Sequence, residues 1–142
     1  MNKSTIAPGA VILRLALGIV LLAHGVLKVA VFTVPGTVGF FDSLGIPAVF
    51  AYLTIAGEIG GGIALLAGVF TRLVALLSLP ILIGATWIHW ANGWLFTNQG
   101  GGWEFPALLA VAACVVAIQG SGGFSIGRIP ILDRIVPQFL KV

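Results

Sequence analysis

The chain has 142 residues, of which 59% are hydrophobic and only 8% are charged. Because soluble domains carry about 25% charged residues, this composition excludes a soluble enzyme and indicates an integral membrane protein. The net charge of +3 comes from seven Lys and Arg residues spread along the chain without a basic cluster, so no nucleic-acid partner is expected.

Four apolar stretches follow one another along the chain, at residues 7–31, 48–70, 73–91 and 104–119. A helix that crosses a bilayer needs about 20 apolar residues at a rise of about 1.5 Å each. Short connections between the stretches predict antiparallel neighbours, and therefore a single all-α domain that is a four-helix transmembrane bundle with up-down-up-down order. Lys and Arg concentrate at the end that carries both termini, so the positive-inside rule predicts cytoplasmic termini in the cytoplasmic (inner) membrane.

Two segments outside these stretches also have a recognisable pattern. Residues 32–47 contain a cluster of apolar side chains before Gly45 and Pro47, which predicts a short helix on the outer surface. Residues 121–142 mix Ile, Leu and Phe with Arg128 and Arg134, which is typical of a segment that rests on the cytoplasmic headgroups.

Tryptophans mark the outer end of the third and fourth stretches. Trp87, Trp90 and Trp94 would share one face of a continuous helix, and Trp103 begins the fourth stretch at the same level. Tryptophan is enriched at membrane–water interfaces, so these residues are predicted to be interfacial anchors. His89 points away from them, toward the bundle if the tryptophans face lipid.

Charged residues inside the apolar stretches are candidates for a functional site, because a charge in the membrane is costly unless it is paired or faces a polar cavity. On the first helix, Arg14, Gly18, Leu21, Gly25 and Lys28 form one stripe that should face inward. Counting depth from the helix ends places Arg14 and Glu58 within a few ångströms of each other, which predicts an ion pair between them. Such a pair is either part of a site or only a structural clasp.

A second polar cluster is expected near the outer end of the bundle. His24 and Lys28 are four residues apart on one helix, and the same depth count brings His89 and Glu104 to their level. Glu104 also begins a helix, where a carboxylate that caps the first turn is an equally good interpretation. No metal site is predicted, because no single helix has ligand spacing, and hydrogen-bonded interfacial roles are favoured over haem ligation for the two histidines.

Several short motifs, in this order and spacing, together resemble the DoxX family of small four-helix membrane proteins over nearly the whole chain. They are Leu13-Arg14-Leu15 with Gly18, His24-Gly25 with Lys28, Gly45-Ile46-Pro47, Gly57-Glu58 with Gly61 and Gly62, Gly68 with Thr71-Arg72, His89, Glu104 with Pro106, and residues 120–125.

The resemblance implies a membrane subunit of a quinone-linked oxidoreductase, such as thiosulfate:quinone oxidoreductase, or a protein tied to quinone, thiol and oxidative stress. It implies a quinone or another lipophilic small molecule bound among the polar residues of the spans. The candidate catalytic residues, which would bond or protonate the ligand, are His24, Glu58 and Glu104, and the candidate binding residues are Arg14, Lys28, His89, Trp87 and Trp103. Because the chain has no GxGxxG loop and no set of cysteines for an iron–sulfur cluster, electrons would come from another oxidoreductase subunit.

Two alternatives of other classes stay open at the level of the sequence. The chain can be a structural or assembly anchor whose buried charges only fix helix register. It can also be a small-molecule transporter, which for such a small bundle would require a homo-oligomer, and no inverted repeat is visible between its halves. In each case membrane lipids are the surrounding partner.

Overall fold

The computed structural model of the protein describes residues 7–123, together with 125 and 137, and shows helices without any strand in this part of the chain. The all-helical prediction is therefore confirmed for these residues. The helices are α1 (Pro8–Ala30), α2 (Val34–Ser43), α3 (Ala48–Ala67), α4 (Thr71–His89) and α5 (Glu104–Gln119), and a short 3-10 turn (Trp90–Asn92) follows α4.

Three of the helices are long and apolar enough to cross a membrane. They are α1 with 23 residues, α3 with 20, and α4 with 22 when its 3-10 extension is included. The fourth long helix, α5, has 16 residues and thus spans about 24 Å, which is shorter than the hydrocarbon core of about 30 Å. The ends of these helices lie within three residues of the apolar stretches predicted from the sequence.

The four long helices contact one another as neighbours around a common core. Helix α1 packs mainly on α3, and α4 packs mainly on α5, while smaller contacts join α3 to α4 and α1 to α5. Small and branched side chains fill the centre, whereas large apolar side chains such as Ile12, Leu77 and Ile118 are exposed on the outside. The buried cluster consists of Leu17, Leu21, Leu65, Ala75, Leu82, Ala113 and Val116.

Glycines fix how α1 and α3 lie against each other. A Cβ atom added at Gly62 would lie only 2.7 Å from the Leu22 backbone nitrogen, and one at Gly25 would lie 3.1 Å from Cβ of Glu58. The two backbones can approach this closely only because side chains are missing at these points. The helices are therefore antiparallel, and Glu58 is level with Gly25.

Helix α2 confirms the short helix predicted before Gly45. Thr33 caps its start, since its side-chain oxygen accepts a hydrogen bond from the Gly36 backbone N–H at 3.2 Å. Its buried residues are Thr37 and Phe41, and the Thr37 hydroxyl donates to the Lys28 carbonyl at 3.1 Å. These contacts fold α2 against α1 and α3, at the end of the bundle where α1 finishes.

The tryptophan arrangement differs from the prediction of one shared helical face. Helix α4 ends at His89, and the chain leaves the helical path at Gly93, which has a φ of +82°. Trp94 therefore lies in a loop rather than on the helix. The predicted segment 121–142 lies for the most part outside the described residues.

Candidate functional site

A cavity of about 690 Å³ lies among α1, α2, α3 and α4, at the end of the bundle that α2 covers. Most of its wall is aromatic or aliphatic, and a few polar side chains interrupt this wall. Large apolar pockets with a small number of placed polar groups are typical of small-molecule sites. The polar side chains in the wall are His24, Lys28, Thr37, Thr54, Glu58 and His89.

An ion pair between Lys28 and Glu58 forms part of this wall. The Lys28 ammonium lies 2.8 Å from both carboxylate oxygens of Glu58 and donates a hydrogen bond to each. The Glu58 side chain is only 7% exposed, whereas the Lys28 side chain is 19% exposed. Gly25 lies beside Glu58, one helical turn before Lys28, so the close contact of α1 with α3 places the two charges together.

The predicted Arg14–Glu58 ion pair is wrong. Arg14 is buried, as the inward stripe on α1 required, but a Cβ atom added at Gly68 would overlap its guanidinium. Gly68 ends α3, ten residues beyond Glu58, so the two charges are about 15 Å apart along the helix axis. Arg14 therefore lies outside the cavity, toward the opposite end of the bundle.

Both histidines are held by their own helices. The Nδ1 atom of His24 lies 2.8 Å from the Val20 carbonyl oxygen, and Nδ1 of His89 lies 2.7 Å from that of Ala85. A carbonyl can only accept, so Nδ1 carries the proton in each ring and donates it. In the neutral form, Nε2 then keeps a lone pair that is available to a ligand.

His24 has an additional contact with α5. Its ring stacks on the Phe105 ring, with centroids 6.3 Å apart and an angle of 29° between the planes. Phe105 thus supports the orientation of a side chain that lines the cavity from α1.

Glu104 and Trp103 lie outside the cavity wall. Glu104 accepts a hydrogen bond from the Phe96 backbone N–H at 2.8 Å, and its own N–H donates to the Trp94 carbonyl at 3.2 Å. Trp103 stacks on Trp90 and meets Trp94 edge-on, with centroids 4.5 Å apart in each pair. In this structure, both residues hold the loop between α4 and α5 in place.

Five of the eight site residues predicted from the sequence therefore meet at one cavity, and three do not. The five are His24, Lys28, Glu58, Trp87 and His89, and the three are Arg14, Glu104 and Trp103.

Sequence reasoning missed most of the aromatic wall and one polar residue. Phe32, Phe40 and Phe41 come from α2 and the segment before it, and Phe50 comes from the start of α3. Thr54 is four residues before Glu58 on α3, and this spacing puts both side chains on one helix face. The sequence therefore contained a signal for Thr54, its spacing from Glu58.

Comparisons with known proteins identify the family of the chain and two relatives. The DoxX family model matches residues 9–91, a range that contains every residue of the cavity wall. The chain is 36% identical over 121 residues to "Putative oxidoreductase CatD" of Bacillus subtilis. The aligned residues cover 85% of each protein. It is also 27% identical over 123 residues to "Inner membrane protein YqjF" of Escherichia coli. That alignment covers 85% of this chain and 91% of the relative.

No solved structure gives a significant match to the chain. Several long apolar helices, together with the similarity to an inner membrane protein, make this a multi-pass protein of the inner membrane. A family match over more than half of the residues, and a relative of more than 30% identity, show that the chain belongs to the DoxX family.

Proposed function

We propose that the cavity binds a quinone, and that the chain is a quinone-interacting subunit or accessory protein of a membrane oxidoreductase. The observation that carries this proposal is the Lys28–Glu58 ion pair in the wall of an otherwise aromatic cavity of about 690 Å³. A quinone requires an apolar slot for its ring and tail and hydrogen-bond donors for its oxygens. The cavity offers both, because its wall is largely apolar and the Lys28 ammonium has one N–H left beside the two that it donates to Glu58.

The proposal includes a membrane topology. Helices α1, α3, α4 and α5 would all cross the bilayer in up-down-up-down order, with both termini on the cytoplasmic side. The cavity would then lie in the outer half of the membrane, because α2 and the end of α1 are at the opposite end of the bundle from the start of α1 and the end of α5. Arg72, at the start of α4, supports this orientation through the positive-inside rule.

A bound quinone would supply a two-electron, two-proton acceptor, and a partner oxidoreductase would deliver the electrons. Lys28 would donate a hydrogen bond to a ring oxygen and stabilise negative charge on it, since its ammonium has three donors. Glu58 would hold the ammonium in position and exchange protons with it or with His24. The Nε2 atoms of His24 and His89 would accept or deliver a proton at the wall of the cavity.

Binding of a short-chain benzoquinone to the purified protein in lipid nanodiscs tests this function. Removing a charge-assisted hydrogen bond costs about 1.5–3 kcal/mol, which corresponds to a rise in Kd of about 10- to 150-fold. We expect a rise of this size in a variant that combines His24→Ala with Lys28→Met, because Lys28→Met removes the ammonium that would bond the quinone oxygen. Glu104→Gln is the matched control, because this residue lies outside the cavity, and its Kd should equal that of the unsubstituted protein.

Stability must be measured beside affinity, because the two charges also join α1 to α3. Each variant should therefore be checked for its helical circular dichroism and for a single peak in size-exclusion chromatography. Unchanged quinone affinity in the folded double variant would refute the proposed site.

A further inference from the structure

Gly84 is a glycine on the cavity wall that helix packing does not explain. It lies inside α4 and is half-buried, yet a Cβ atom added there would have no heavy atom within 4 Å. By contrast, a Cβ atom at Gly18 would lie 3.1 Å from α3. Glycine in a helix interior is less favourable than alanine. Because Gly84 allows no close helix contact, the open space beside it requires another explanation.

The residues around Gly84 give this space a shape. Pro80, Gly84 and Ile88 are four residues apart, so they lie on one face of α4, and all three line the cavity. Gly84 is therefore a notch between two larger apolar side chains. At the notch, the α4 backbone itself forms the wall of the cavity.

The polar groups of the cavity lie on other helices. Lys28 is on α1 and Glu58 is on α3, whereas the notch is on α4. Lys28, Glu58 and Gly84 all line the same cavity. A flat ring whose oxygen meets Lys28 thus has apolar space on the side of α4.

From this arrangement we infer that the Gly84 notch sets the size of the ring system that the cavity accepts, and that it admits a ring with a second, fused ring. The inference rests on the proposed quinone site and adds the residue that determines its specificity. A bare backbone lets a planar ring approach to van der Waals distance, and a side chain at this position would occupy the place of the fused ring.

Two probes and two matched variants test the inference. The probes are a benzoquinone and a naphthoquinone with the same short alkyl chain, bound to the full chain in nanodiscs. The variants are Gly84→Leu and the control Gly60→Leu, because Gly60 on α3 also has no heavy atom within 4 Å of an added Cβ atom but lies outside the cavity.

We expect Gly84→Leu to raise the naphthoquinone Kd at least tenfold and to raise the benzoquinone Kd by less. Gly60→Leu should change neither Kd by more than twofold. Neither leucine should lower the melting temperature, because both positions have open space around the added side chain. Gly84→Ala keeps a small side chain at the notch and should give a naphthoquinone Kd between those of the unsubstituted protein and of Gly84→Leu.

Failure of the inference and failure of the proposed function give different results. If the unsubstituted protein binds neither probe, the proposed function is overturned, and the inference falls with it. If the unsubstituted protein binds both probes and Gly84→Leu leaves their affinities unchanged, or weakens both equally, only the role of the notch is overturned. Equal losses in Gly60→Leu would have the same meaning.

Discussion

Replacing Lys28 with methionine is expected to destabilise the protein more than replacing its partner Glu58 with glutamine. Lys28→Met leaves a carboxylate that is only 7% exposed without its ammonium, and breaking a buried pair in this way costs about 3–5 kcal/mol. Glu58→Gln instead leaves the ammonium, which is 19% exposed and two residues from the end of α1. A lysine can extend its head toward water, so this loss should be about 1–3 kcal/mol.

The double variant Lys28→Met/Glu58→Leu gives the clearest result, because it removes both charges and keeps apolar volume. Replacing a buried ion pair by apolar side chains is often neutral or stabilising, so its free energy of unfolding should lie within about 1 kcal/mol of the unsubstituted protein, or above it. Together with the single variants Lys28→Met and Glu58→Leu, this double variant forms a thermodynamic cycle that isolates the interaction between the two residues.

Titration with sodium dodecyl sulfate in mixed micelles, followed by circular dichroism, would measure these free energies. Lys28→Arg is the matched control, since it keeps the positive charge and should lose less stability than Lys28→Met. Equal losses from Lys28→Met and Glu58→Gln would refute the reasoning about burial. A double variant that loses the sum of both single effects would show that the charges do not stabilise each other.

Three further predictions concern the packing around the site. Gly62→Ala should lower the free energy of unfolding by about 1–3 kcal/mol, because its methyl group would push α1 away from α3. Gly60→Ala places its methyl group in open space, so in the same titration its free energy of unfolding should equal that of the unsubstituted protein or exceed it by up to about 1 kcal/mol. Glu104→Ala removes the acceptor of the Phe96 N–H and should speed proteolysis of the loop between α4 and α5 without changing ligand affinity; unchanged cleavage would contradict its role in the loop. Trp103→Ala removes the central ring of the tryptophan cluster, and it should reduce the near-ultraviolet circular dichroism of the folded protein; an unaltered spectrum would speak against ordered stacking.

The helices could be predicted well because their signal is local. The length of each apolar stretch predicted the long helices, Gly45 marked the end of α2, and Pro47 marked the start of α3. The inward stripe on α1 is also confirmed, since Arg14 and Gly25 are buried and Lys28 is partly buried. Periodicity alone contains this information, because residues on one face share an environment.

The pairing of charges between helices could not be predicted from the sequence. Counting depth from helix ends assumes that neighbouring helices begin at the same level. The glycine contacts instead place Gly25 beside Glu58, so the start of α3 extends about 7 Å past the end of α1. This offset moves Glu58 away from Arg14 and brings it to Lys28. The sequence contains the glycines but does not show which residues of the other helix they meet.

The cavity could not be predicted from the sequence either, because its shape depends on the position of α4 relative to α2. Both helices contribute residues to the wall, although they are separated by the whole of α3. The ionisable members, His24, Lys28, Glu58 and His89, could be selected because an ionisable side chain in an apolar stretch is unusual. Apart from Trp87, the aromatic members could not be selected, since an apolar residue in such a chain looks the same whether it faces lipid or a cavity.

The ammonium and carboxylate of Lys28 and Glu58 lie 2.8 Å apart and carry no net charge together. A lone charge moved across an energised membrane changes its energy by about 2.3 kcal/mol per 100 mV, but the contributions of two adjacent opposite charges nearly cancel. An uncharged molecule that settles beside them moves no charge through the electric field. Its occupancy should therefore be the same in respiring cells and in cells whose membrane potential has been collapsed.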